Sequence, residues 1–348
     1  MESRNLSTYR LKIQKKSQSS KDQFEHSYKK YANFAKDPES RIAELRSKPV
    51  SEAIDELQNY YNFLTNHPRT NKIYTHQMAK FFRYLGIQVS NELIKEEIDF
   101  AKIPQEELHP LSMDEIKTIL NACLPRKKAL FLVQLSSGIR IGELVQLRKK
   151  HFVYIPEHRI FMIKIPANIA KFQRARTTFI SKEAIKAVAP ILNKKQDEEL
   201  VFGTSDNVLN AKKAEIGYLN KIKDTVGLNQ KYESNHTDLI GTHSFRAFFI
   251  THLSRKDPNL AKLLAGQKGY LLQYDRLDDS VKLDLYKQYE SELLVFDDSK
   301  KDQKIQELQV LNEKYQEQLA KNSEIMRKLH LHMNNFILDK TVPDPNFN

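Results

Sequence analysis

The chain has 348 residues and a formal net charge of +12, spread unevenly: +5 over residues 1–105, +7 over 106–297 and zero over 298–348. That length allows two domains with their own cores plus a tail, and a basic body points to a polyanionic partner. A single cysteine, Cys123, excludes a disulfide framework and a thiolate metal site; with a polar N-terminus and no apolar run near the ~20 residues a membrane helix needs, the expectation is an intracellular, cytoplasmic protein without a membrane span.

Residues 1–45 are polar and charged, with small polar residues from Ser17 to Ser20, and read as a flexible or helical N-terminal arm. From residue 46 to 105 the pattern turns helical, with Ile54, Leu57, Tyr61 and Leu64 followed by Ile73, Met78, Phe81, Phe82 and Leu85. Ile103-Pro104-Gln105 and His109-Pro110 mark a linker, after which Ser112 and Glu115 have the spacing of a capping box. The domain that follows, residues 106–297, opens with helices through Leu132 and Leu135. Three short strands come next, around Phe152–Ile155, Ile160–Ile165 and Thr177–Ile180, with a turn at Pro156-Glu157-His158 between the first two. Helices return beyond Ser181, so the fold class expected is mainly α with a small antiparallel β-sheet, α+β. In the tail, 298–348, Ile305, Leu308, Asn312, Tyr315, Leu319, Asn322, Met326, Leu329 and Met333 alternate three and four apart. That seam fits a self-associating coiled coil with two polar register positions, or one amphipathic helix laid on the protein's own body.

Two arginine motifs carry chemistry: Ser137-Gly138-Ile139-Arg140-Ile141-Gly142-Glu143-Leu144 and Thr242-His243-Ser244-Phe245-Arg246. Attack at a phosphodiester builds charge on the non-bridging oxygens, and rigid, permanently cationic guanidinium forks suit that charge without a metal. Arg140 and Arg246 fit such a clamp, Gly138 permits close approach, and Glu143 lies one turn on to orient Arg140. His243 lies one turn before Arg246, where an imidazole can accept a proton or hydrogen-bond a phosphate oxygen. His252 is outside the motif and reads as structural. Phosphate-binding glycine loops and His-Glu-x-x-His zinc motifs are lacking.

These motifs, with the continuation Ala247-Phe248-Phe249-Ile250-Thr251-His252-Leu253, resemble the tyrosine recombinase (phage integrase) family, in its archaeal-type mobile-element form, over roughly residues 45–296. The resemblance implies a helical core-binding domain and a catalytic domain clamped about duplex DNA. It implies site-specific recombination and integration through a 3′-phosphotyrosyl intermediate, without metal, ATP or other cofactor, by a homo-oligomer, a tetramer on paired DNA. It places the general-acid lysine on the hairpin after the second strand, which makes Lys171 the candidate and Lys164 the alternative. Arg174, Arg176 and Lys268 are expected on the DNA backbone. At the position usually held by histidine or tryptophan this chain has Gln267, which donates a hydrogen bond but cannot shuttle protons. The nucleophile is expected at Tyr274, closer to Gln267 than the family's commoner spacing, with Tyr270, Tyr286 and Tyr289 as alternatives. A type IB topoisomerase-like nicking-closing enzyme, a dimer-resolving recombinase and a catalytically weak DNA-binding protein are the rival functions.

Overall fold

The computed structural model describes residues 4–103, 105–267, 277–296 and 298–340, with backbone alone for 298–307, 331, 332 and 334–340. Two compact units are present: residues 1–108 with 231–237, and residues 109–230 with 238–348.

The first unit contains α1 (Leu6–Ile13), α2 (Gln18–Ala35), α3 (Pro38–Ser47), α4 (Val50–Phe63), α5 (Pro68–Tyr84) and α6 (Asn91–Glu97). Side-chain caps begin most of them: Asn5, Ser17, Asp37 and Ser90 each accept a backbone N–H of the first turn, which satisfies donors that a helix start leaves open. Residues 4–45 are therefore not a detached arm. Tyr9, Phe24, Tyr31, Ile42 and Leu45 are buried in one cluster with Leu57, Tyr60, Phe81 and Phe82. Rings pack edge-on at centroid distances of 4.8 Å (Tyr9–Phe24) and 5.3 Å (Tyr31–Tyr60), a geometry the aromatic quadrupole favours. The buried Glu56 is satisfied by the Tyr31 hydroxyl at 2.8 Å and by Arg41 at 2.9 and 3.0 Å.

The second unit begins with α7 (Met113–Ala122), which has the expected Ser112/Glu115 capping box, then α8 (Pro125–Ser137) and the single-turn α9 (Ile141–Leu144). A three-stranded antiparallel sheet in the order β1-β2-β3 follows, from β1 (Phe152–Ile155), β2 (Ile160–Ile165) and β3 (Arg176–Phe179). Phe152 pairs with Ile163 and Met162 with Phe179, a register that puts Met162 and Phe179 in the core. The helices α10 (Lys182–Leu192), α11 (Val208–Val226), α12 (Thr242–Ser254), α13 (Pro258–Ala265) and α14 (Asp279–Tyr289) complete the body, and α15 (Asp298–Lys340) is the tail. The α+β class read from the sequence is the observed one. Every residue from Leu308 to His330 is exposed, Leu319 at 62% and Met326 at 65%, so this stretch of the tail does not lie on the body. No helix among the described residues is long and apolar enough to cross a membrane.

Candidate active site

Helix α8 stops at Gly138, which is left-handed (φ +64°), and a Cβ there would meet the Phe249 ring at 2.3 Å. Only glycine lets the chain turn this close to α12. The turn delivers Arg140 to the start of α9, with Glu143 one turn later. Arg246, buried on α12, donates Nη1 to the Gly138 carbonyl, so the second motif fastens the backbone that presents the first.

Glu143 is 3% exposed and gathers five N–H donors. Its carboxylate accepts from Arg140 Nη1 at 3.3 Å, from Arg176 Nη2 at 2.5 Å and Nη1 at 3.3 Å, from the Lys171 backbone N–H at 2.9 Å, and from the Arg140 backbone N–H at 3.2 Å. Burial alone would raise its pKa; the hydrogen bond and charge of Arg176, the Lys171 amide and the charge of Arg140 reverse this and hold it below the ordinary carboxylate value. The two arginines also reach the end of α13, Arg176 Nε donating to the Leu264 carbonyl at 3.1 Å and Arg140 Nη2 to the Gly266 carbonyl at 3.1 Å. Cations on the last carbonyls of a helix meet the negative end of its dipole.

A cavity of about 450 Å³ opens beside Glu143, lined by Arg140, Lys171, Lys212, His243, Thr242 and Gln134 among others. Arg246 is not among its lining residues and is 2% exposed. Burial, then the charges of Arg140 and Arg176, push the Arg246 pKa down to about 9, only partly offset by Glu143. The guanidinium remains protonated at neutral pH but lacks negative charge. The His243 pKa is lowered by burial, then by Arg246, Arg140 and Lys171, which favours the neutral ring. Among the described residues Glu143 is the one carboxylate lining this cavity. A small anion is what the site is short of.

The other candidates sort clearly. Lys171 is exposed and lines the cavity, whereas Lys164 lies on β2 opposite Thr177 and does not. Arg174 is exposed and lines a second cavity of about 300 Å³ together with Gln267, which directly follows the Gly266 carbonyl held by Arg140. Arg176, expected on the DNA backbone, is turned inward: its side chain is 8% exposed and spent on Glu143 and Leu264, because a buried carboxylate and a helix end offer a denser set of acceptors than solvent. Tyr286 is fully buried, donates to the Ser136 carbonyl at 2.8 Å, and has its pKa raised well above the ordinary value by burial, then Glu290. Such a phenol is a packing residue. Tyr289 is packed against the same core. Lys268, Tyr270 and Tyr274 lie outside the described residues. His252 stacks on Phe248 at 4.1 Å, as a structural histidine. Sequence reading missed Lys212, which no motif marks, and Gln134, a polar residue inside an apolar helix whose Nε2 holds the Ile139 carbonyl at 3.2 Å behind Arg140.

Residues 110–265 match the model of the phage integrase family. Among solved structures, a lambda integrase (75–356) dimer bound to a COC′ core site is similar with TM-score 0.50 and 15% identity, over 81% of this chain and 93% of that one. XerH site-specific recombinase bound to difH substrate gives TM-score 0.49 and 18% identity, over 82% and 84% of the two chains. At 15% identity the likeness to the lambda integrase structure concerns the fold alone. No curated protein matches the chain.

The inward Arg176 makes a measurable prediction. Arg176→Met is expected to slow DNA cleavage while leaving the slope of log affinity against log salt unchanged, since no phosphate contact is removed. A slope smaller by about 0.9 would restore Arg176 to the DNA backbone.

Proposed function

We infer, for a chain whose residues 110–265 belong to the phage integrase family, that the protein is a tyrosine recombinase which cuts and rejoins duplex DNA at specific sites. The observation that carries this reading is the excess of cationic groups, Arg140, Arg246, Arg176 and Lys171, around the single carboxylate of Glu143. A phosphodiester supplies the missing anion. Arg140 binds its non-bridging oxygens from the cavity wall, Arg246 adds charge and fixes the Gly138 turn, and Gln267 contributes a neutral donor. His243, neutral beside these cations, accepts the tyrosine proton; Lys171, exposed on the wall of the same cavity, donates to the leaving 5′ oxygen. A tyrosine oxygen displaces that 5′ oxygen at phosphorus, and the 3′-phosphotyrosyl link keeps the bond energy until a 5′-hydroxyl reverses the step. Tyr274 is the nucleophile proposed, and Tyr286 is set aside because its hydroxyl is buried on Ser136.

The tail supports a second proposal, association of protomers into the homo-oligomer, a tetramer on paired duplexes, that strand exchange requires. Leu308, Tyr315, Leu319, Met326, Leu329 and Met333 are all more than half exposed along one long helix, an apolar seam with Asn312 and Asn322 placed to fix register in a second copy.

Incubated with a nicked duplex that traps cleavage, the wild type is expected to form a covalent protein–DNA adduct, in EDTA as well as without it. Tyr274→Phe should bind DNA and form none, and Arg140→Ala or Arg246→Ala should slow adduct formation by about two to three orders of magnitude, as losing one charge-stabilising donor does elsewhere. An adduct in Tyr274→Phe moves the nucleophile to another tyrosine; no adduct in the wild type leaves a DNA-binding protein.

Removal of residues 300–348 is expected to weaken self-association and cooperative DNA binding while single-site cleavage persists. The loss should persist at high salt, because seam burial is apolar. Unchanged sedimentation of the shortened protein would refute the tail's role.

A further inference from the structure

The turn that carries Lys171 holds an aromatic residue in a conformation that bulky side chains avoid. Phe172 has φ +73° and ψ +12°, and Gln173 follows at φ +54°, so two consecutive non-glycine residues are left-handed. The Phe172 ring is 49% exposed and lies outside β2 and β3, facing cations rather than the apolar core. Local conformation that costs stability and is maintained next to a reactive centre asks for a functional reason. The location supplies one. The Phe172 ring centroid is 5.9 Å from Arg140 Cζ and 5.3 Å from Lys171 Nζ, and the backbone N–H of Lys171 is pinned to Glu143 at 2.9 Å, so the ring is carried on the same anchored turn as the candidate general acid. It also lines the second cavity, with Arg174, Gln267 and Lys282 around it.

We propose that Phe172 is a stacking residue that takes the π-face of the nucleobase beside the scissile phosphate and sets which base step enters the site. Stacked bases along a strand are about 3.4 Å apart. A ring 5.9 Å from the guanidinium that holds the phosphate is therefore within two base steps of it. An exposed apolar ring set among Lys171, Arg174 and Lys282 combines the two components single nucleotides are recognised by, an aromatic platform and cations for the backbone. A side chain inserted between bases also unstacks the step it enters, which widens the approach of Lys171 to the leaving oxygen.

This inference rests on the recombinase reading, and the test separates the two. The probe is a nicked duplex carrying the cleavage site mapped with the wild type, with 2-aminopurine at the base flanking the scissile phosphate. Binding of the wild type is expected to change the 2-aminopurine fluorescence; Phe172→Gly is expected to abolish that change and to slow adduct formation about ten- to a hundredfold, the range for losing one base stack. Glycine adopts the same turn without strain, so Phe172→Gly should melt no lower than the wild type, and Phe172→Tyr should keep both the fluorescence change and the rate. An adduct in the wild type together with an unaltered signal and rate in Phe172→Gly overturns the stacking role. Loss of protomer assembly in Phe172→Gly with the signal intact also overturns it, in favour of a protein contact. No adduct in the wild type condemns the recombinase reading instead.

Discussion

A single buried carboxylate organises this site. Glu143 is the common acceptor for Arg140, Arg176 and the amide of Lys171, and those three groups come from α9, β3 and the hairpin between β2 and β3. Two like charges 4 Å apart at an effective dielectric near 20 repel by about 4 kcal/mol, so the arginines would not share this space without it. Glu143 neutralises only part of the charge it assembles. Arg246 is pushed down to about 9 chiefly by burial and then by the other two arginines, with Glu143 opposing them. Among the described residues the pocket therefore gathers more cationic groups than carboxylates, and in the function proposed a phosphodiester is the anion that joins them. Selectivity for an anion is built in before any substrate arrives, which is the preorganisation that lowers a charged transition state.

Packing turns that electrostatic arrangement into a rigid one. The φ +64° turn at Gly138 sits against Phe249, and Gly266, also left-handed, lies where a Cβ would be 2.7 Å from the Arg176 side chain. Two glycines thus admit two close approaches, one beneath each arginine-bearing segment. Around them the apolar helices α8, α10 and α12 form one core that includes Phe131, Phe179, Phe245 and Phe249. The functional groups are mounted on that core through backbone carbonyls: Gly138 for Arg246, Gly266 for Arg140, Leu264 for Arg176. Displacing any one carbonyl moves a cation.

Much of this was legible in the sequence, because it is written locally. The capping box at Ser112 and Glu115, the three strands, and the paired arginine motifs are short-range patterns. They named Arg140, Glu143 and His243, and the family resemblance added Lys171; all four line one cavity. What was not legible depends on contacts distant in the chain. Arg176 reads as a hairpin cation until Glu143, 33 residues earlier, is folded beside it. Tyr286 reads as a candidate nucleophile until the Ser136 carbonyl, 150 residues earlier, takes its hydroxyl. The N-terminal segment reads as an arm because charge dominates its composition, yet Phe24 and Tyr31, two turns apart on α2, are helix-spaced aromatics that join Tyr9 in a core. The left-handed Phe172 has no signature at all, since any residue type can be forced into a turn by the elements on either side.

The dependence on Glu143 is open to a direct measurement, a double-mutant cycle on the rate of covalent adduct formation with Glu143→Gln, Arg176→Met and the pair. Residues acting as one unit lose their effect once, so the account predicts that the double variant is about as slow as the slower single variant, with thermal stability of all three retained well above the assay temperature. Losses that multiply, each variant adding its full factor, would show that Arg176 acts on its own and would contradict a site organised around one carboxylate.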